Sequence, residues 1–142
     1  MATLTVTIKE ELILNGQDVG CTNIVNYSVT EVYHRIVTIT NTEKSILLFG
    51  AAVEGGTIKD AQLDYLRITN LDSGFAIKLR IRNASEEFMV QVEPLGSFIL
   101  TEDKLDADAT GSDETISLAQ IDSIKAISGT STSSVEIYAA SS

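Results

Sequence analysis

The sequence predicts an all-β domain, an antiparallel β-sandwich or jelly-roll-like fold of about eight strands. Three observations predict it. Apolar and polar residues alternate at period two in several segments. Turn-forming Asn, Asp, Gly and Pro separate those segments at the spacing of a sandwich or barrel. No long amphipathic helical pattern is present, which disfavours a parallel α/β sheet. The composition agrees: 44% of residues are hydrophobic, Trp is absent, and Ser and Thr are abundant. Thr, Val and Ile suit a pleated, half-buried surface.

The first segment places Leu4, Val6 and Ile8 on one side and Thr3, Thr5, Thr7 and Lys9 on the other. That pattern reads as a half-buried strand. A second apolar run, Leu12-Ile13-Leu14, ends in Asn15-Gly16, the favoured dipeptide of a two-residue hairpin turn; plain turn chemistry is the first reading and a recognition loop tip the functional alternative. Glu31 to Thr40 is the next strand, with Tyr33, Arg35, Val37 and Ile39 on one face and Val32, His34, Ile36 and Thr38 on the other. After a turn at Asn41-Thr42-Glu43, Ser45 to Phe49 is nearly all apolar. Such a run reads as a central strand or one covered on both faces.

Leu63 to Thr69 reads as a strand, Asp72-Ser73-Gly74 as a turn, and Phe75, Ile77, Leu79 and Ile81 as alternate positions of a return strand. Residues 63–82 are therefore expected to pair as an antiparallel hairpin. Phe88, Val90 and Val92 follow as a strand, Pro94-Leu95-Gly96 as a turn, and Ser97 to Leu100 as a short strand. Leu118 to Ile127 fits either a short helix or a strand. Ser134 to Ala140 closes the chain as a final strand. A length of 142 residues suits one domain and allows a core without covalent staples. No repeat or linker divides the chain, so residues 1–142 read as a single domain.

Charge narrows the function. The net charge of -10 argues against non-specific nucleic-acid binding and against docking on anionic membranes, both of which need a positive surface. No run of apolar residues reaches membrane-spanning length. The N-terminus lacks the charged and apolar regions of a signal peptide, so synthesis in the cytoplasm of the producing cell is expected. The single cysteine, Cys21, excludes an intrachain disulfide, and it follows Gly20 in a turn-like stretch with no basic neighbour to activate it.

Catalytic chemistry finds little to build on. His34 is the only histidine and lies within a strand beside Val32 and Ile36. No Gly-x-Ser-x-Gly elbow and no phosphate-cradling glycine loop is present. The sequence therefore points to no catalytic residue and no cofactor. Sugar-binding carboxylate clefts are commonly lined by aromatic rings, whereas this chain has no Trp and four Tyr scattered along its length. The acidic stretch from Glu102 to Thr115 contains Asp106, Asp108 and Asp113, which resemble the first half of a calcium loop. The twelfth position of that frame is Ser117 rather than Glu, so a solvated loop is the plainer reading and a weak calcium site the alternative.

Basic residues cluster too. Arg67, Lys78, Arg80 and Arg82 make up four of the ten basic residues, while ten of the twenty acids lie between Glu86 and Asp122. Arg80 and Arg82 share the face opposite the expected core. A basic face meeting an acidic one could dock neighbouring subunits, and ordinary surface decoration explains the same pattern.

Tyr65-Leu66-Arg67-Ile68-Thr69-Asn70-Leu71-Asp72, Val92-Glu93-Pro94-Leu95-Gly96-Ser97-Phe98-Ile99-Leu100 and the terminal Val135-Glu136-Ile137-Tyr138 resemble segments of small virion proteins of tailed bacteriophages, marine and cyanobacterial phages in particular. The resemblance implies a jelly-roll-like capsid decoration (cement) protein, or a neck or tail component, located in the virion and assembled in the host cytoplasm. It implies a homo-oligomer, a trimer by preference, whose partners are the major capsid protein or other virion proteins. It implies no active site. Contact candidates are Arg67, Lys78, Arg80 and Arg82, with the N-terminal segment. The rival reading is a carbohydrate- or receptor-binding module.

Overall fold

A computed structural model describes residues 1–50, 57–59, 62–102, 104–105, 118–129 and 131–142. The described residues contain strands and no helix. In chain order these are β1 (Ala2–Glu10), β2 (Ile13–Leu14), β3 (Gln17–Asp18), β4 (Cys21–Val29) and β5 (Glu31–Ile39). Then come β6 (Lys44–Gly50), β7 (Thr57–Lys59), β8 (Leu63–Asn70), β9 (Ile77–Arg82) and β10 (Glu87–Val92). The last are β11 (Ser97–Leu100), β12 (Lys104–Leu105), β13 (Ala119–Gln120), β14 (Ser123–Ser128) and β15 (Ser133–Ser141).

Two sheets pack face to face. One has the order β11-β8-β15-β5, the other β10-β9-β14-β6-β7. Pairing in both is antiparallel except between β6 and β7, which run parallel. The all-β expectation is met, and the form is a β-sandwich. Period-two alternation explains why. Val135, Ile137 and Ala139 of β15 point inward with Leu66 and Ile68 of β8, and meet Ile77, Leu79, Ile81, Ile124 and Ala126 from the opposite sheet. Most of these side chains are fully buried. Each buried Val, Leu or Ile among them contributes about 1.5–3 kcal/mol relative to exposure.

The stretch from Leu118 to Ile127 resolves as strand, through β13 and β14 rather than a helix turn. β6 is a central strand, between β14 and β7, as one of its two readings expected, but it is not covered on both faces. The register of β14 against β6 shifts between Ile124 and Lys125, so Ile46 is an extra residue in the ladder. That bulge lets the adjacent Ile46 and Leu47 both be buried, while Leu48 is 45% exposed on the outer face. The apolar run therefore reflects a bulge, not cover on both faces.

The expected hairpin over residues 63–82 is absent. β8 and β9 belong to different sheets, so the segment between them crosses from one layer to the other. The chain from β10 to β11 crosses back in the same region. Asn70, fully buried, ties the two crossings together. Its amide donates to the carbonyls of Phe75 at 2.8 Å, Val92 at 3.3 Å and Glu93 at 3.2 Å, and its Oδ1 accepts from the N–H of Asp72 at 3.0 Å. Asp72 in turn accepts from the N–H groups of Gly74 and Phe75 at 2.7 and 3.0 Å. A crossing needs these side-chain partners because its backbone groups have no ladder to join.

Among the described residues, β1 and β4 pair only with each other. They form a two-stranded ribbon with Leu4 opposite Tyr27 and Val6 opposite Val25, extended by the small hairpin of β2 and β3. Only its base rests on the sandwich.

Candidate functional site

Three surfaces carry the candidate chemistry: the ribbon, the outer face of the four-stranded sheet at the ribbon's foot, and the outer face of the five-stranded sheet.

The ribbon changes character along its length. At the foot, Leu4, Val6, Tyr27 and Val29 pack against Tyr65, Tyr138 and Ala140. Farther out the cover thins: Ile8, on the same face, is 37% exposed, and Ile24, on the opposite face beside Thr7, 60%. At the tip, Leu12, Ile13, Leu14 and Val19 are all more than half exposed. Local chemistry sets the tip's shape. Asn15 and Gly16 both have positive φ, 51° and 80°, as a hairpin turn of this hand requires. Behind the turn, a Cβ on Gly20 would stand 2.2 Å from the carbonyl oxygen of Glu10, so only glycine fits there. The Gly20 N–H donates to Asp18 Oδ1 at 2.9 Å, and the Val19 N–H to the Leu12 carbonyl at 2.8 Å. The tip is thus a defined hairpin that displays apolar side chains. Glu10, Glu11 and Asp18 stand among them, with Lys9 bound to Glu11.

Cys21 lies in this region. Its thiol donates to Glu10 Oε2 at 3.1 Å. That hydrogen bond, and the negative charge behind it, hold the thiol pKa above its usual value. The setting disfavours the nucleophilic thiolate.

At the foot, residues distant in sequence converge. The rings of Tyr27 and Tyr65 lie 6.2 Å apart, Tyr65 and Tyr138 6.3 Å, and His34 and Tyr138 5.8 Å. Three of the four tyrosines thus gather in one cluster rather than scattering. Burial raises the pKa of the Tyr65 hydroxyl. Beside them, Glu136 receives Arg67 Nη2 at 2.9 Å and faces His34 Nε2 at 3.0 Å. An open groove of about 350 Å³ runs along β1 from Leu4 to Ile8 and over Tyr65, Arg67, Ile99 and Tyr138. Arg67 is therefore separated from the other three candidate bases. It belongs to the outer face of the four-stranded sheet, because residues 63–82 cross between layers instead of folding back.

Lys78, Arg80 and Arg82 do share one face, as their alternation predicts. They line the outside of β9, with Gln91, Met89 and Glu87 opposite them on β10 and Ile127, Lys125 and Ser123 opposite them on β14. Arg80 Nε donates to Glu43 Oε1 at 2.7 Å, Arg80 also pairs with Glu87, and Lys125 Nζ lies 3.6 Å from Glu43 Oε2. The Arg80 hydrogen bond holds the Glu43 carboxyl below its usual pKa, and Glu43 raises that of Arg80. Lys78 and Arg82 make no ion pair among the described residues. Met89, half exposed, and Ile127 form the apolar part of a recess of about 330 Å³, rimmed by Glu43, Ala76, Lys78 and Arg80.

Asp106, Asp108 and Asp113 lie outside the described residues. Among the described residues, no group of three His, Cys, Asp or Glu side chains is placed to hold a metal ion. Sequence reasoning missed two features. The run Leu12 to Leu14 forms the hairpin that Asn15-Gly16 predicts, but its exposure was not legible, because among the described residues no second layer covers a hairpin of two-residue strands. The tyrosine cluster joins positions 27, 65 and 138 through three separate strands, and no local spacing signals that. Comparison of the chain with protein families, curated proteins and solved structures gave no match.

Proposed function

We propose that this protein is a non-enzymatic structural subunit of a virion, a capsid decoration protein that attaches through its ribbon. One observation carries the proposal: a rigid sandwich holds out a β-ribbon whose tip exposes Leu12, Ile13, Leu14 and Val19. Exposed clusters of large apolar residues on a soluble protein mark interaction sites. A ribbon also offers two free strand edges, to which another chain can add. The resemblance to small virion proteins of tailed bacteriophages supplies the setting. Many copies, each with a weak foot, would bind a shell much more tightly than one copy. A neck or tail position would use the same surfaces.

Mass spectrometry of purified particles from a producing lysate tests the reading. The chain should be found in the particles in many copies. Its confinement to the particle-free fraction would contradict the proposal.

A ligand-binding reading has one specific observation in its favour, the groove beside Tyr65 and Tyr138 at the ribbon's foot. Titration with glycans, read by melting temperature, separates the two. A saturable rise would favour the binding module.

A further inference from the structure

We propose that the ribbon tip of one copy docks on the outer face of the five-stranded sheet of a second copy, filling the recess between Met89, Ile127 and Lys78. The inference rests on the reading of the chain as an assembling subunit and names the contact by which copies join.

Four observations support it. The tip combines exposed apolar side chains with an excess of carboxylates, Glu10, Glu11 and Asp18 against Lys9. The outer sheet face is its complement, with Lys78, Arg80, Arg82 and Lys125 against Glu43 and Glu87. Its two ends carry the cations that lack an acid partner among the described residues, Lys78 and Arg82. Between them lie Met89 and Ile127, the apolar part of the recess of about 330 Å³, against which either Ile13 or Leu14, on opposite faces of β2, can pack.

The charge of the whole chain makes a second copy the fitting occupant. At a net charge of -10, two copies repel each other over most orientations, and the basic face is where an acidic tip is attracted. Tip and recess are different patches, so the contact is heterologous. Repeated around an axis it closes a ring, and without closure it propagates a filament. The sandwich stays intact in either case, because both surfaces are already exposed in the free chain.

Charge reversal tests the contact. Light scattering on the purified full chain gives the oligomer mass over a concentration series, and a melting curve for each variant verifies folding. Lys78→Glu with Arg82→Glu should weaken association by about tenfold or more, as should Glu10→Lys with Glu11→Lys. The four changes together should restore it. Raising salt to about 0.5 M should weaken the wild-type contact, as the screening of exposed charges requires. Failure of the combined variant to recover would overturn the pairing. Loss of association on reversing the sheet face but not the tip would assign the face to another acidic segment and overturn the choice of occupant. A wild-type chain that stays monomeric would overturn the contact altogether, and its recovery in purified particles would leave the virion reading standing.

Discussion

β1 and β15 are both nine-residue strands with regular alternation, yet one is largely exposed and the other largely buried. β15 sits between β8 and β5 and faces a second sheet, so its inward positions reach full burial. β1 has a single neighbour, and only Leu4 and Val6 find a surface beneath them. Identical sequence grammar therefore serves two ends. In β15 it builds the core; in β1 it makes an arm. Alternation says which residues share a face, and tertiary position alone says whether that face is covered.

The comparison can be broken at its strong end first. Ile137→Ala opens a cavity in the middle of β15 and should cost about 2–5 kcal/mol in chemical denaturation. A much smaller loss would mean that the two sheets do not pack closely there. Asn70→Ala removes one hydrogen bond from each of three carbonyls and one N–H at the paired crossings. About 1–3 kcal/mol should be lost, with faster amide exchange in residues 71–76. Stability equal to wild type would show that the crossings hold without Asn70.

At the ribbon's foot, Tyr27→Ala removes the ring that meets Tyr65. The expected cost is about 0.5–1.5 kcal/mol beyond the lost area, with faster exchange confined to β1 and β4. Uniformly faster exchange would mean that ribbon and sandwich unfold as one. The smallest effect concerns Glu43. Its pKa is lowered on folding, so its contribution is present above the ordinary carboxyl range and fades as pH falls through the lowered value. Glu43→Gln should therefore melt slightly below wild type at neutral pH, with the gap closing in acid. Solvent screens this partly exposed pair, which keeps the gap small. A gap that widens toward acid would reverse the sign and contradict the assignment.

Much of the fold is legible in the sequence, for physical reasons. Period two marks β1, β5, β9 and β15 directly, and Asn15-Gly16 marks its turn. Sheet membership is harder to read. Asp72-Ser73-Gly74 supplies turn chemistry for a hairpin and for a crossing alike, and the choice rests on Asn70 reaching carbonyls more than twenty residues away. That ambiguity also misplaced Arg67. Lys78, Arg80 and Arg82 kept together because one strand carries them all. The ribbon tip was the least legible site, since Leu12 to Leu14 looks the same whether a second layer covers it or not.

The proposed division between a self-sufficient sandwich and an arm that works by contact is tested most directly at that tip. Leu12→Ser, Ile13→Thr and Leu14→Thr in one chain remove the exposed apolar groups and leave the turn residues in place. Calorimetry and light scattering on the same sample read both functions. The melting midpoint should stay within about 4 °C of wild type, as for surface changes, while the proposed association between copies is lost. A midpoint that collapses would place the tip within the fold's own core, and an unaltered oligomer would show that assembly does not run through the ribbon.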